Sequence, residues 1–402
     1  MTSGALSSSL AIKSTAAELT GRPDSRVRGH IPALDGVRGF AILAVLVYRF
    51  GLQGDFYLST DPSDQLPHWV TLGLAIGQRG VDLFFVLSGL LITGILFDAK
   101  GETHFFRHFY TRRVLRILPL YYASLVLFVL AIPCFLSPSQ FPTKHAIEDQ
   151  HWLWLHAANL SFLFRGEWSL GRLDHFWSLA IEEHFYFVWP LVIFLCNRRT
   201  ALWICGLGFV ATPLARIAWI KCGGVDVALD TLTIFRLEGL LAGAWLALAV
   251  RGPQGVCALA KPAKYALIVS GLLLLPTLAT DKRLMTIPET LYAIFFTALL
   301  ALVLSNRRQS WLNAICESRF LRFFGKYSYA MYIFQNPLVP LIALLFTSNQ
   351  LEAATGSFVA GRVAYILIMA AVTTLVALAS WNLFEKHFLS LKEVLAPKHH
   401  AA

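Results

Sequence analysis

Three short stretches of the sequence hold side chains able to move a proton or grip an anion. In "DHFWSLAIEEHFYFVWP" (174–190), His175, Ser178 and Glu182 succeed one another at intervals of three and four, so a helix puts them on one face. A histidine and a carboxylate in one stripe suit acid–base or proton-relay chemistry, with a satisfied structural network as the alternative. In "RRVLRILPLYY" (112–122), Arg112, Arg113 and Arg116 bunch within two turns. Guanidiniums so close together suit bidentate recognition of phosphates, while a single arginine would serve as an orientation anchor. In "LDGVRGFAILAVLVYRFG" (34–51), Asp35, Arg38 and Arg49 fall within about 60° of each other at 100° per residue. Asp35 and Arg38 have the spacing of an i,i+3 pair. Arg49 sits about 16 Å further along, and its alternatives are a place inside the bundle or snorkelling to headgroups.

Three more segments add polar groups. "GVDLFFVLSGLLIT" (80–93) carries Asp82 near one end and the small pair Ser88–Gly89 in its middle. Small pairs let helices approach, and Ser88 has no base beside it in sequence, so packing is the simpler role. "FRLEGLLAGAWLA" (235–247) puts Arg236 on the face of Gly239 and Gly243, a contact that would draw an ionisable group into a bundle. "YSYAMYIFQNPL" (327–338) stripes Ser328, Tyr332 and Gln335.

The elements that must position these groups are membrane helices. Of 402 residues, 56% are hydrophobic and 14% charged, too apolar a balance for a soluble protein of this length. A spanning helix needs about 20 mostly apolar residues. Segments 34–52, 79–97, 118–137, 176–196, 201–220, 231–250, 265–280, 287–305, 327–347 and 360–383 qualify. The expected architecture is an all-α polytopic membrane protein, a bundle of about ten transmembrane helices with both termini cytoplasmic. That orientation comes from the 34 Lys and Arg, most of which fall on the side of the N-terminus. Orientation therefore accounts for the net charge of +10, and no nucleic-acid partner is implied. Residues 1–30 read as a disordered tail, 31–388 as the membrane domain and 389–402 as a C-terminal tail. The outer loop 53–78, with Asp55, Asp61 and Asp64, reads as a lid or a plain surface loop. The connector 138–175 carries "QHWLWLHAANLSFLF", which suggests an interfacial helix. The six cysteines are scattered, so neither a disulfide framework nor a metal site is indicated.

Seven blocks in order resemble the acyltransferase-3 family of membrane O-acyltransferases: "IPALDGVRGFAILAVLVYRFG", "GVDLFFVLSGLLIT", "RRVLRILPLYY", "HFWSLAIEEHFYFVWP", "FRLEGLLAGAWLA", "KYSYAMYIFQNP" and "NLFEKHF". The resemblance spans residues 31–388. It implies a ten-helix bundle that passes an acyl group, usually acetyl, from cytoplasmic acyl-CoA to a hydroxyl of a carbohydrate or lipid-linked glycan. Acyl-CoA is then a co-substrate, and no permanently bound cofactor is implied. The implied setting is the inner (plasma) membrane, with membrane lipid as a partner. The resemblance assigns donor-related roles to Arg113 and Arg116, and site roles to Asp35, Arg38, Ser88, Gly89 and Glu182. Where the family has a histidine regarded as catalytic, this chain has Arg49, and where a second histidine is frequent it has Gln335. Arginine stays protonated near neutral pH and cannot be a general base, though it can stabilise an oxyanion. This leaves two expectations. Either the base has moved to His175 or Glu182, with Arg49 binding or polarising the acyl carbonyl and Arg236, Tyr332 and Gln335 in support, or the protein binds or moves an acyl donor or lipid-linked sugar without catalysis.

Overall fold

The computed structural model describes residues 30–52, 68–141, 143, 145–279, 287–305 and 311–396. Most of the expected N-terminal tail, residues 53–67 of the outer loop with its three aspartates, and 397–402 lie outside the described residues. All described secondary structure is helical, as the sequence pattern requires of a polytopic membrane protein.

The principal helices are α1 (Pro32–Leu52), α2 (Gly80–Asp98), α3 (Phe105–Leu125), α4 (Trp177–Leu195), α5 (Arg198–Lys221), α6 (Leu237–Ala249), α7 (Cys257–Ala279), α8 (Ile287–Ser305), α9 (Arg319–Phe334), α10 (Phe358–Ser380) and α11 (Lys386–Leu395). Among the described residues seven helical stretches are long and apolar enough to cross a bilayer. The three expected spans outside that set have identifiable reasons. α1 carries Asp35, Arg38 and Arg49, while α6 and α9 are only 13 and 16 residues long. Expected span 231–250 is broken into Asp226–Thr231, a 3-10 turn and α6, and span 327–347 into α9 and Leu338–Ala343. Two boundaries move further. α3 starts at Phe105 rather than 118 and runs straight through Pro119, so the arginine cluster lies inside a helix instead of ahead of it. α10 passes through a π-helical stretch, Trp381–Glu385, into α11, carrying helix into the expected tail.

Glycines set the closest helix crossings. A Cβ on Gly89 would stand 1.9 Å from the Leu240 carbonyl oxygen, and one on Gly243 would stand 2.0 Å from that of Val86. No side chain fits there, so α2 and α6 touch backbone to backbone. α1 and α9 do the same through Gly39 and Gly325, whose added Cβ atoms would meet Leu321 and Asp35 carbonyl oxygens at 1.9 and 1.8 Å. The two tight pairs leave their polar faces turned toward α3 and α4, and the cavity lies between them.

The connector after α3 is two short helices, Gln150–Trp154 and Ala158–Arg165, rather than one. They meet at His156, whose backbone is left-handed (φ 53°) and whose ring stacks on Tyr121 at 3.9 Å. Leu153, Ala158 and Phe162 are fully buried in the bundle core, so this segment caps the helices instead of merely lying along the interface. Burial, with His184 adding to it, pushes His156 down to about 4, keeping it neutral at physiological pH.

Candidate active site

α1, α2, α3, α4 and α9 enclose an elongated cavity of about 750 Å³. Its lining runs along α2 from Asp98 back to Val81, roughly 25 Å at 1.5 Å per residue. One end is a basic mouth where Arg112, Arg113, Arg116 and Lys392 meet Arg251, Asp98 and Glu102. Asp98 and Arg251 form a bidentate pair at 2.7 and 2.6 Å. The other end is closed by Ser178 and Tyr332, with Ser88, Glu182, Tyr186, Arg38 and Ser328 between.

The mouth arginines are held by packing and by backbone, not by acids. Arg112 donates to the Ala396 carbonyl at 2.5 Å, and Arg113 stacks its guanidinium on the Tyr186 ring at 5.0 Å. Arg116 faces Arg38 and Arg113, so like charges confront one another across the cavity. Among the described residues none of Arg38, Arg112, Arg113, Arg116 and Lys392 is ion-paired with a carboxylate. Such a grouping concentrates positive potential at the mouth, which favours an anion there.

Deeper in, the side chains are paired more finely. Arg38 donates to Ser328 Oγ at 3.3 Å, while Asp35 faces His30 at 2.7 Å, so the expected Asp35–Arg38 pair acts only through space. Ser88 Oγ and Tyr186 Oη share a short hydrogen bond beside Glu182, which stands in the field of Arg113 and Arg38. Ser178 Oγ and Tyr332 Oη are bonded at 2.6 Å, and both lie near the His175 carbonyl, at 3.2 and 3.1 Å, so one hydroxyl donates to the other and the second donates to that carbonyl.

The remaining candidates lie off the cavity, each for a physical reason. Gly89 is spent on the contact with α6. His175 is 2% exposed and sits behind Tyr332. It is seven residues from Glu182, about 10 Å of helix rise, so the two share a face but cannot hydrogen-bond. Its Nε2 lies 3.2 Å from the Ile333 carbonyl, which fixes Nε2 as the protonated nitrogen and leaves a buried Nδ1 with no partner. Arg49 also stands outside the lining, within electrostatic range of His175 and Tyr332. Gln335 is wholly buried at the end of α9, with both amide atoms lacking partners.

Arg236 belongs to a separate assembly. It pairs with Asp82 and approaches Glu289 at 3.9 Å, and Arg79 reaches Asp82 at 3.4 Å and Glu289 at 3.6 Å. Arg216 meets Glu238 at 2.6 Å nearby. Every charge in this set is compensated, so Arg236 joins α2, α6 and α8 rather than supporting the cavity.

Tyr186, Arg251 and Lys392 are among the cavity residues missing from the candidates that the sequence suggests. Tyr186 continues the 175–178–182 stripe by four and is legible by that spacing. Arg251 and Lys392 are not, since each reaches the mouth through tertiary contact alone.

A family model described as an acyltransferase domain matches residues 31–381. The peptidoglycan O-acetyltransferase OatA of Listeria monocytogenes is 28% identical over 337 residues, covering 78% of this chain and 50% of that protein. A Staphylococcus aureus protein provisionally named an O-acetyltransferase is 25% identical over 348 residues, 80% of this chain and 53% of its own. YrhL of Bacillus subtilis, provisionally named a peptidoglycan O-acetyltransferase, is 35% identical over 170 residues, 41% of this chain and 24% of that protein. The chain thus spans about half the length of the first of these relatives. No solved structure matches it. With a basic-mouthed cavity built from the motif helices and a family match over most of its length, the chain belongs to the acyltransferase-3 family.

Proposed function

We propose that the chain is a membrane O-acyltransferase. It takes an acyl group, in the simplest case acetyl, from acyl-CoA and transfers it to a hydroxyl of a carbohydrate or lipid-linked glycan. The observation that carries this reading is the elongated cavity, with uncompensated cations at its mouth and hydroxyls and a carboxylate inside. Acyl-CoA has the matching form: phosphates at one end, a narrow arm, and a reactive thioester at the other.

In this reading the mouth faces the cytoplasm, in keeping with the positive-inside rule, and both termini lie on that side of the plasma membrane. Arg113 and Arg116 grip phosphates, Arg112 holds the rim, and Ser88 lines the path of the arm. Glu182 takes the proton of the acceptor hydroxyl as its oxygen attacks the thioester carbon. The carbon–sulfur bond then breaks, and the CoA thiolate leaves with that proton. Arg38 stabilises the oxyanion formed in between, and the Tyr332 or Ser178 hydroxyl turns from the His175 carbonyl toward it as it forms. The His175 backbone carbonyl anchors this hydroxyl pair, and the His175 ring packs on Tyr332 at 5.5 Å as a positioning contact. Arg49 acts from behind Tyr332 as a fixed positive charge on the acceptor side. Acyl transfer by the purified chain, measured for wild type and Glu182→Gln, tests the assignment of the base. Loss in Glu182→Gln with donor binding intact supports it, and unchanged transfer in Glu182→Gln refutes Glu182 as the base.

A second reading, a protein that binds the donor without turnover, is favoured by one observation. The family's two histidine positions hold Arg49 and Gln335, and among the described residues the inner cavity is lined by no imidazole. Labelled acetyl-CoA separates the readings, since hydrolysis or transfer requires the enzyme and tight binding with no turnover requires the binder.

A further inference from the structure

The family match ends at residue 381, where the π-helical stretch Trp381–Glu385 begins. Each residue added to a helical turn rotates the downstream helix by about 100°, so this stretch re-aims the chain before α11. α11 then packs on α3, next to the arginine cluster. Its two faces differ. Leu391, Val394 and Leu395 are exposed, at 42%, 76% and 46%, and suit lipid. Lys392 is half-buried, lines the cavity mouth and stands in the field of Arg112, Arg113 and Arg116. The Arg112 bond to the Ala396 carbonyl ties the end of α11 to α3.

A lysine turned toward three arginines is unfavourable unless an anion joins them, for like charges at short range repel. The lysine stem could have snorkelled outward, as Lys386 at the start of the same helix does, yet Lys392 turns in. We propose that α11 is the outer wall of the donor site and that Lys392 is a phosphate-binding residue for the nucleotide end of acyl-CoA. This inference rests on the acyl-CoA reading above and extends it beyond the segment the family model covers.

The test is the affinity of the full chain, purified in detergent, for CoA by isothermal titration calorimetry, together with the melting temperature of the ligand-free protein. Lys392→Met keeps the apolar stem and removes the charge. It is expected to weaken CoA about tenfold, the scale of one charge-assisted hydrogen bond, with no fall in melting temperature. Lys392→Arg is expected to bind CoA as wild type does, and so is Lys386→Ala. Wild-type affinity in Lys392→Met overturns the proposal, as does a loss matched by a fall in melting temperature, which marks a packing role. A wild-type chain that binds no CoA overturns the acyl-CoA reading as well, an outcome distinct from the first two.

Discussion

Arginine occurs inside this bundle in two settings. Around Arg236, Arg79 and Arg216, each guanidinium meets a carboxylate of Asp82, Glu289 or Glu238. Around Arg113 and Arg116 no carboxylate among the described residues is at ion-pairing distance: Arg116 stands in the field of Arg38 and Arg113, and Arg113 rests on the Tyr186 ring with Glu182 in its field. The first set is desolvated and balanced by the protein itself, with Arg216 1% and Arg236 7% exposed, whereas Arg113 is half-buried and Arg116 is exposed at the cavity mouth. The contrast teaches that an arginine answered by acids is a structural tie, while one that faces other cations keeps its charge available to a ligand. Sequence position alone does not separate Arg236 from Arg116.

Substitutions can break this comparison. The largest effect is expected inside the cavity, where Glu182→Gln lowers acyl transfer by about 10²–10⁴-fold, read as turnover at saturating donor. Next is the balanced set. Arg236→Ala strands Asp82 and Glu289 in the bundle and is expected to cost about 3–5 kcal/mol, read by denaturation in detergent, with CoA affinity retained by the protein that folds. Arg116→Ala should do the opposite, weakening CoA by about 10–100-fold, the range of one to two charge-assisted contacts, with unchanged or improved thermal stability because like-charge repulsion is relieved. An Arg116 variant as unstable as the Arg236 variant would erase the distinction.

The smallest effect calibrates the comparison with an ion pair outside the membrane. Arg165 bonds Asp149 at 3.0 and 3.1 Å, and these bonds hold the Asp149 carboxyl below the usual carboxylate range. The stabilisation is therefore present above the ordinary carboxylate value and is lost as pH falls through the depressed one. A modest drop in melting temperature between pH 5 and pH 3 should disappear in Asp149→Asn.

How much of the fold and the site is legible in the sequence depends on the range of the interaction. Local spacing is written in the chain, so the His175–Ser178–Glu182 stripe and the 112–116 cluster can be read directly, and the same spacing reaches Tyr186. Helix faces are harder. α2 and α6 are apolar all round, so hydrophobicity does not say which side meets a neighbour, and only the small residues Gly89, Gly239 and Gly243 mark the contact. The approach of Gly39 to Gly325 spans most of the chain and carries no local sign. Pairs such as Asp82–Arg236 and Asp98–Arg251 are invisible for the same reason, since each is joined by tertiary packing alone. The start of α3 is hidden because arginines lower hydropathy, although they are good helix formers and their charge is accommodated by the cavity. Lys392 falls in the expected tail because nothing local shows that a π stretch turns it inward.

Catalysis in a family member with arginine and glutamine at the two histidine positions is the central claim, and one measurement addresses it directly. Purified full chain is incubated with acetyl-CoA labelled in the acetyl group, beside Glu182→Gln, and both free acetate and transferred acetyl are counted together with CoA bound. The expected result is turnover by wild type that is lost in Glu182→Gln while both bind CoA alike. Binding by wild type with no release or transfer of label would contradict the account and leave a donor-binding scaffold in its place.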